Sequence, residues 1–276
     1  MSFYSSKAFT DLLLALKIDL LQSDNAVGFN VGKNPFFKKF LWLDFEVKNK
    51  AFYNWLDMTS KRTGIYTQIL QAKTTLEEPK LHGYQEDIRK TIIINLTKTQ
   101  EELFSNINEN CRKNIRRGEK KGLTFREIAT DEFEKYLLLL KATRKKLKLG
   151  MPPVYPMFEV WKKYPHNIKV FCIELNKEII YAMTIFAAGD TITECAIAYN
   201  KAGRDLYAGD LMKWGVILWG KNNGFLAYDL AGVSESEPKI FAYKQKFGGQ
   251  LVTFPVYTKT FSKSKDFIIK LKRKLL

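Results

Sequence analysis

The chain is poor in the residues on which most site chemistry relies. Its 276 residues include two histidines, His82 and His166, and three cysteines, Cys111, Cys172 and Cys195. Neither histidine has a partner near it in sequence, which argues against a histidine-dependent triad or a zinc site. The cysteines are far apart, odd in number and without a CxxC pair, so no metal or redox centre is expected. Cys172 and Cys195 lie in apolar runs and read as buried thiols. No apolar run approaches the roughly 18 residues a membrane span needs. The opening "MSFYSSKAFTDLLLALKIDLLQSDN" lacks a charged leader, a long apolar core and a cleavage site. It reads instead as an amphipathic helix over 5–22, with Phe9, Leu12, Leu13, Leu16 and Leu20 on one face. The expected location is cytoplasmic, with at most peripheral contact at the inner face of a membrane. Acid is scarce as well. Asp and Glu total 29 against 45 Lys and Arg, a net charge of +16. That excess favours nucleic acid, phosphorylated ligands or an anionic surface as partner.

Apolar residues are plentiful. Hydrophobic residues make up 46% and aromatics 14% of the chain, enough for one large domain or two small ones, each with a core. Two strand-like runs, "AVGFNV" and "KFLWLDFEV", precede a helix over about 51–63 and a strand "GIYTQILQ". The polar stretch "AKTTLEEPKLHGYQEDIRK", broken by Pro79 and Gly83, reads as a connection between two halves. A second unit opens with the β-branched strand "TIIINL" and a helix capped by Thr97 or Thr99. The segment "CRKNIRRGEKKG" sets six basic residues against one acid and ends at Gly122, a suitable residue to close a helix. Its Arg112, Lys113, Arg116, Arg117, Lys120 and Lys121 recur at helical spacing and form a stripe. A strand "LTFREI" and a long helix capped near Thr130 or Asp131 follow. After the loop at Pro152 and Pro153 come three strands joined by turns at Asn176–Lys177 and Gly189–Asp190. A helix over 205–223, a strand "FLAYDLAG", a short helix over 238–246, a closing strand "LVTFPVYTKTF" and a basic C-terminal helix complete the order. A three-stranded meander followed by helix–strand–helix–strand is the order of an acetyltransferase-type α/β fold.

Three segments carry a closer resemblance. "TIIINLTKTQEELFSNINENCRKNIRRGEKKGLTFREI", "YNKAGRDLYAGDLMKWGVILWGKNNGFLAYDLAGV" and "IFAYKQKFGGQLVTF" occur in this order over roughly Thr91–Tyr257. Together they resemble the FemAB family of peptidoglycan bridge aminoacyltransferases. The resemblance implies an α/β (α+β) architecture of acetyltransferase-like (GNAT-type) units, a mixed sheet flanked by helices, two in tandem with the first abbreviated. The expected boundaries are 1–90 for the first unit, 91–250 for the second, and 251–276 for a closing strand and helix packing back on the first. It also implies transfer of an amino acid, Gly or else Ala or Ser, from aminoacyl-tRNA to an amine on the stem peptide of a peptidoglycan precursor. The acceptor would be a UDP-linked or lipid-linked muropeptide, and neither cofactor nor metal is required.

The residue inventory agrees with that chemistry. An aminoacyl ester is already activated, so its aminolysis needs alignment, loss of a proton from the amine and a stabilised oxyanion. The resemblance places Lys244 at the family's motif lysine, where it would stabilise the oxyanion or hold the tRNA 3′ end; the plain alternative is a solvated lysine beside Lys246. Asp229 would orient a lysine or accept the amine's proton, or simply end a strand. Tyr243 replaces the usual Phe and can stack on the terminal adenine. Arg112, Lys113, Arg116, Arg117 and Lys120 would track the acceptor-arm phosphates, or form a solvated face. Arg204 suits a phosphate or carboxylate of the precursor, or a salt bridge to Asp205 or Asp210. Tyr199 and Tyr207 would line the same cleft or join the core. The longer family members have an arginine and a tyrosine after the long helix; here Tyr155 and Lys148 stand as their counterparts. Phe247 reads as core, and Gly248 and Gly249 as residues of special backbone conformation or close packing.

Two other readings compete. One is an acyl-CoA-dependent N-acyltransferase of the same fold. The stretch "KAGRDLYAGD" has only Gly203 and Gly209 and lacks the Gly-rich spacing that grips coenzyme A. The other is a non-catalytic RNA-binding protein, which accounts for the charge but leaves "YKQKFGG" and "YDLAG" unexplained.

Overall fold

The structure, a computed structural model, describes residues 10, 13–14, 19–23, 26–30, 38–45, 50–72, 83–149, 166–233 and 237–261. Their elements run in chain order as β1 (Leu20–Ser23), β2 (Ala26–Asn30), β3 (Lys38–Phe45), α1 (Lys50–Thr63), β4 (Ile65–Ala72), β5 (Gln85–Asn95), α2 (Gln100–Asn106), α3 (Glu109–Lys120) and β6 (Thr124–Glu127). A 3₁₀ turn at Thr130–Glu132 leads into α4 (Phe133–Lys146). Then follow β7 (Ile168–Leu175), β8 (Glu178–Ala188), β9 (Thr191–Tyr199), α5 (Lys201–Asp205), α6 (Ala208–Asn222), β10 (Ala227–Asp229), α7 (Pro238–Gln245) and β11 (Gln250–Thr260). Tyr155, the N-terminal helix apart from Thr10, Leu13 and Leu14, and the C-terminal helix lie outside the described residues.

The chain divides into two compact units: Lys90–Val252, and Ser2–Arg89 with Thr253–Leu276. We call them the central and the N-terminal unit. In the N-terminal unit β1 pairs with β2 and β2 with β3, both antiparallel. β3 and β4 are parallel, joined through α1, and β4 pairs antiparallel with β11. Its core centres on Trp42, Leu56, Leu70 and Tyr257. Gly28 is obligatory, because a Cβ there would stand 2.2 Å from Trp42 Cε2. A neutral hydrogen-bond chain threads this core. The Trp42 indole N–H donates to Gln68 Oε1 at 2.6 Å, Gln68 Nε2 donates to Ser60 Oγ at 2.9 Å, and the Ser60 hydroxyl donates to the Leu56 carbonyl at 2.7 Å. Trp42, Gln68 and Ser60 are completely buried, so each polar atom must find a partner inside.

The central unit has the strand neighbours β5, β10, β9, β8, β7 and β6. The meander from β6 to β9 is antiparallel throughout, whereas β10 runs parallel to β9 and antiparallel to β5. The Asn176–Lys177 turn uses two residues of positive φ, as a tight hairpin of this hand demands. Thr99 caps α2 in a capping box: Glu102 N–H donates to Thr99 Oγ1 at 3.2 Å and Thr99 N–H to Glu102 Oε2 at 2.8 Å. The basic segment is the helix α3, closed by Gly122 at φ +79°.

Several boundaries differ from the sequence reading. Within the span expected as a helix over 5–22, residues from Leu20 onward form β1, because pairing with β2 overrides the helical periodicity at Leu20. The strand expected from Thr91 starts at Gln85; its first four residues are exposed and read as polar connection. The expected 205–223 helix is two helices. Asn200 Oδ1 caps α5 by accepting from Gly203 N–H at 2.9 Å, and Tyr207 at φ +55° turns the chain into α6. The "FLAYDLAG" strand stops at Asp229, since Ala231 adopts φ +62°.

Candidate active site

A cluster of buried charge sits where β9 and β10 part. Their parallel pairing covers only Thr191–Thr193 and Ala227–Asp229. Just beyond it β9 carries a bulge: Glu194 faces Ile185 and Ala196 faces Thr184, leaving Cys195 over. A bulge re-aims side chains, and Glu194 is turned inward, its side chain 8% exposed. There it meets Lys213 of α6, 4% exposed, in a direct ion pair. The Tyr228 hydroxyl donates to the same Glu194 Oε1 at 2.8 Å. The Lys213 ammonium also lies 5.8 Å from the Tyr243 ring and 5.6 Å from the Phe247 ring. An ion pair so buried is tolerable only with its partners complete.

Lys244 enters the cluster from α7. It is 9% exposed. Its ammonium donates to the Leu230 carbonyl and, at 2.9 Å, to the Ala231 carbonyl. A lysine ammonium has three donors, so one remains beyond those two. Burial draws the Lys244 pKa down, and Glu194 is the strongest charge pulling it back up. Asp229, at the end of β10, accepts from Thr91 Oγ1 at 2.5 Å and from Ala231 N–H at 2.8 Å. Burial raises its pKa above the ordinary carboxylate value.

A second carboxylate bounds the cluster. Asp210, in the first turn of α6, is 4% exposed. Its Oδ1 accepts from Tyr243 Oη at 2.9 Å and its Oδ2 from Asn114 Nδ2 of α3 at 2.8 Å. Gly209 lets the tyrosines approach: a Cβ there would lie 3.1 Å from Tyr243 Oη and 3.2 Å from Tyr181 Cε2. Tyr181 in turn stacks on Tyr199 with ring centroids 6.0 Å apart. Desolvation pushes the Tyr181, Tyr228 and Tyr243 hydroxyls well above their ordinary range, so they act here as neutral hydrogen-bonding groups.

Of the sequence candidates, then, Lys244, Asp229, Tyr243 and Tyr199 come together. Tyr243 is held by Asp210 and packs edge-on against Phe247 as a half-buried ring. Arg204 pairs with Asp205 at 3.0 Å. Tyr207 is 52% exposed at the start of α6. Lys148 stands exposed just past α4, at φ +53°. α4 reaches Tyr199 through Thr143, whose Oγ1 accepts from Tyr199 N–H at 2.8 Å. Gly248 has φ +75°, and a Cβ on Gly249 would sit 2.5 Å from Ile92, which accounts for the Gly-Gly pair. Phe247 is core.

The basic residues of α3 divide into two groups. Arg112 is committed to the end of α2, donating to the Ser105 carbonyl at 2.6 Å and the Ile107 carbonyl at 2.5 Å. Lys113 pairs with Glu109 at 2.7 Å, and Arg116 lies over the Phe104 ring at 5.2 Å. Arg117, Lys120 and Lys121 are exposed, and among the described residues no hydrogen bond or ion pair engages their heads. Asn114 ties this helix to Asp210, so the charged face and the buried cluster share one scaffold.

Sequence reasoning missed Glu194, Lys213, Asp210, Tyr228 and Tyr181. Lys213 did leave a signal: one lysine inside "DLMKWGVILWG", a helix apolar nearly all round, has to be buried and so paired. Glu194 left none, because the bulge that aims it is a feature of strand pairing.

The meander, the parted strands and the helix after them define a class of acyl-group transferases. The chain belongs to the acetyltransferase (GNAT) domain family, whose model matches residues 105–245. No curated protein matches its sequence. Among solved structures it is similar to FemX, with a TM-score of 0.68 at 12% identity, over 97% of this chain and 94% of that one. It is also similar to the C-terminal domain (DUF2156) of a putative lysylphosphatidylglycerol synthetase from Agrobacterium fabrum, with a TM-score of 0.64 at 11% identity over 96% and 91%. L-PGS from Bacillus licheniformis gives 0.62 at 14% identity over 93% and 88%. These likenesses bear out the two-unit GNAT-type fold. Among the described residues no helix is long and apolar enough to cross a membrane.

Proposed function

We propose that the protein transfers an amino acid from aminoacyl-tRNA to an amine on the stem peptide of a peptidoglycan precursor. The observation that carries the reading is Lys244: a buried ammonium with two protons on backbone carbonyls and a third available. The acceptor amine, once deprotonated, adds to the ester carbonyl carbon. The C–N bond forms and the carbonyl oxygen becomes an oxyanion, which the third Lys244 N–H stabilises. Collapse breaks the ester C–O bond, and the tRNA 3′ oxygen leaves with a proton. The displaced amine proton balances the step. The free heads of Arg117, Lys120 and Lys121 would track the phosphates of the acceptor arm, where contacts position a substrate without reading its sequence. Arg204, Tyr207 and Tyr199, with Tyr155 and Lys148, are the proposed precursor contacts. The likeness to FemX and to a lysylphosphatidylglycerol synthetase domain supports aminoacyl transfer as the reaction class.

Family membership keeps a CoA donor in view, and one observation weighs against it. A pyrophosphate seated on the first turn of α6 would share that turn with the negative charge of Asp210. The test supplies radiolabelled glycyl-, alanyl- and seryl-tRNA with UDP-linked and lipid-linked muropeptides. RNase-sensitive transfer is expected, lost by 10²-fold or more in Lys244→Ala. Arg117→Ala/Lys120→Ala/Lys121→Ala should weaken tRNA binding and reduce its salt slope by about 2–3, with the fold unchanged. Labelling of an amine by acetyl-CoA, with every tRNA inert, would establish the CoA reading instead.

A further inference from the structure

Between Asp229 and Val233 the chain follows an unusual path. Leu230 N–H donates to the Ile92 carbonyl at 3.0 Å and Val233 N–H to the Lys90 carbonyl at 2.8 Å, so β5 pins the segment on both sides. Between those pins Ala231 stands at φ +62°, a region costly for a residue with a Cβ. Such strain persists only where the surroundings over-determine it. Here the surplus restraint is Asp229, whose Oδ1 holds the Ala231 N–H at 2.8 Å and is itself held by Thr91 Oγ1. The product of this arrangement is that two successive carbonyls, Leu230 and Ala231, converge on one ammonium, that of Lys244. Successive carbonyls in an extended strand point to opposite sides; the strained residue is what turns both the same way.

We propose that Asp229 and Ala231 are positioning residues: their strained turn holds two of the three Lys244 protons on backbone carbonyls and so aims the third at the reacting centre. The turn's grip on Lys244 is independent of the reaction, whereas the purpose assigned to it rests on the transfer function above. Asp229 acts through the turn and has no part in proton transfer. Each piece is needed. A buried lysine without fixed acceptors rotates about its last bond. The side-chain charges around Lys244 are Glu194 on β9, Lys213 on α6, Asp229 on β10 and Glu237 before α7. None of the three anions is hydrogen-bonded to its ammonium, which leaves the carbonyls to orient it.

The test follows the Lys244 ammonium itself, by NMR titration of the full-length protein carrying 13C at the lysine ε-carbons, with Lys244 assigned by its loss in Lys244→Met. Asp229→Ala frees the turn, so the carbonyls relax and the Lys244 pKa should fall by about one unit, a tenfold change in protonation. Asp229→Asn keeps an oxygen that accepts from Thr91 and Ala231, and should give less than half that shift. Ala231→Gly keeps the turn without strain; it should leave the Lys244 pKa in place and raise the unfolding midpoint. If Asp229→Ala does not fold, Thr91→Val removes one of the two hydrogen bonds on Asp229 and should shift Lys244 the same way by less. An Asn variant that shifts as far as Ala would make charge the cause and overturn the proposal. So would a Lys244 pKa that stays or rises in Asp229→Ala. Expected titrations with no transfer from any aminoacyl-tRNA would keep the turn's grip on Lys244 and sink the function it is said to serve.

Discussion

The two units bury polar groups in different ways. In the N-terminal unit the chain Trp42–Gln68–Ser60–Leu56 is neutral, joins β3, β4 and α1, and ends on a backbone carbonyl. In the central unit four buried charges, Glu194, Asp210, Lys213 and Lys244, and the half-buried Asp229 come from β9, α6, α7 and β10. A neutral chain adds modest stability and fixes register. A buried charged group costs desolvation that its partners only just offset, and an apolar replacement of the pair is often as stable. A fold that needed only stability would have little reason to keep the second arrangement.

The comparison breaks most sharply at Glu194. Glu194→Gln keeps the acceptor for Tyr228 and removes the counter-charge of Lys213, so unfolding should become easier by about 3–5 kcal/mol. Adding Lys213→Met should recover most of that loss, because no unpaired charge then remains. Transfer activity should stay low in both variants. Urea unfolding beside the tRNA assay reads the two quantities separately. A double variant that is stable and fully active would make the ion pair architecture after all.

In the N-terminal unit the expected balance is reversed. Gln68→Ala strands the Trp42 N–H in a dry core and removes the donor to Ser60. The loss should be about 1–3 kcal/mol, with the transfer rate per folded molecule unchanged. A larger loss of rate than of stability would carry the chemistry into this unit as well.

These contrasts also mark how much could be read in advance. The meander, the basic helix and its glycine stop, and a threonine cap at Thr97 or Thr99 were legible, because each rests on local spacing or on turn residues whose chemistry is local. Lys244 was reached through a motif, yet its burial and its two carbonyl partners were not. They depend on Ala231, a residue whose type gives no hint of positive φ. The α3 stripe looked uniform in sequence, whereas three of its six cations are committed to α2, Glu109 and Phe104. Commitment of that kind is set by which element packs alongside, and periodicity does not encode it. The break between α5 and α6 was missed for a related reason. It turns on Tyr207 at φ +55°, another residue whose type gives no hint of positive φ.

The smallest expected effect sets two carboxylates against each other. Glu132, which ends the 3₁₀ turn before α4, accepts from Arg126 Nη1 at 2.6 Å and Nη2 at 3.0 Å, and that hydrogen bonding holds its pKa down to about 2 from 4.5. Folded Glu132 therefore binds its proton more weakly than the unfolded chain does. Its contribution is present above about pH 4.5 and is lost as pH falls towards about 2. Asp229 has the opposite sign. Burial raises its pKa above 3.8, so the folded state holds the proton more tightly, and stability drains away as pH rises through that interval. Glu132→Gln should flatten the acid loss of stability between pH 4.5 and 2, and Asp229→Asn should steepen the net rise of stability above pH 3.8. Chemical unfolding at a series of pH values measures both slopes. If the two variants changed the slope in the same direction, Asp229 would be an ionised, paired carboxylate like Glu132. The distinction between a paired carboxylate that stabilises and a desolvated one that costs stability would then fail at that residue.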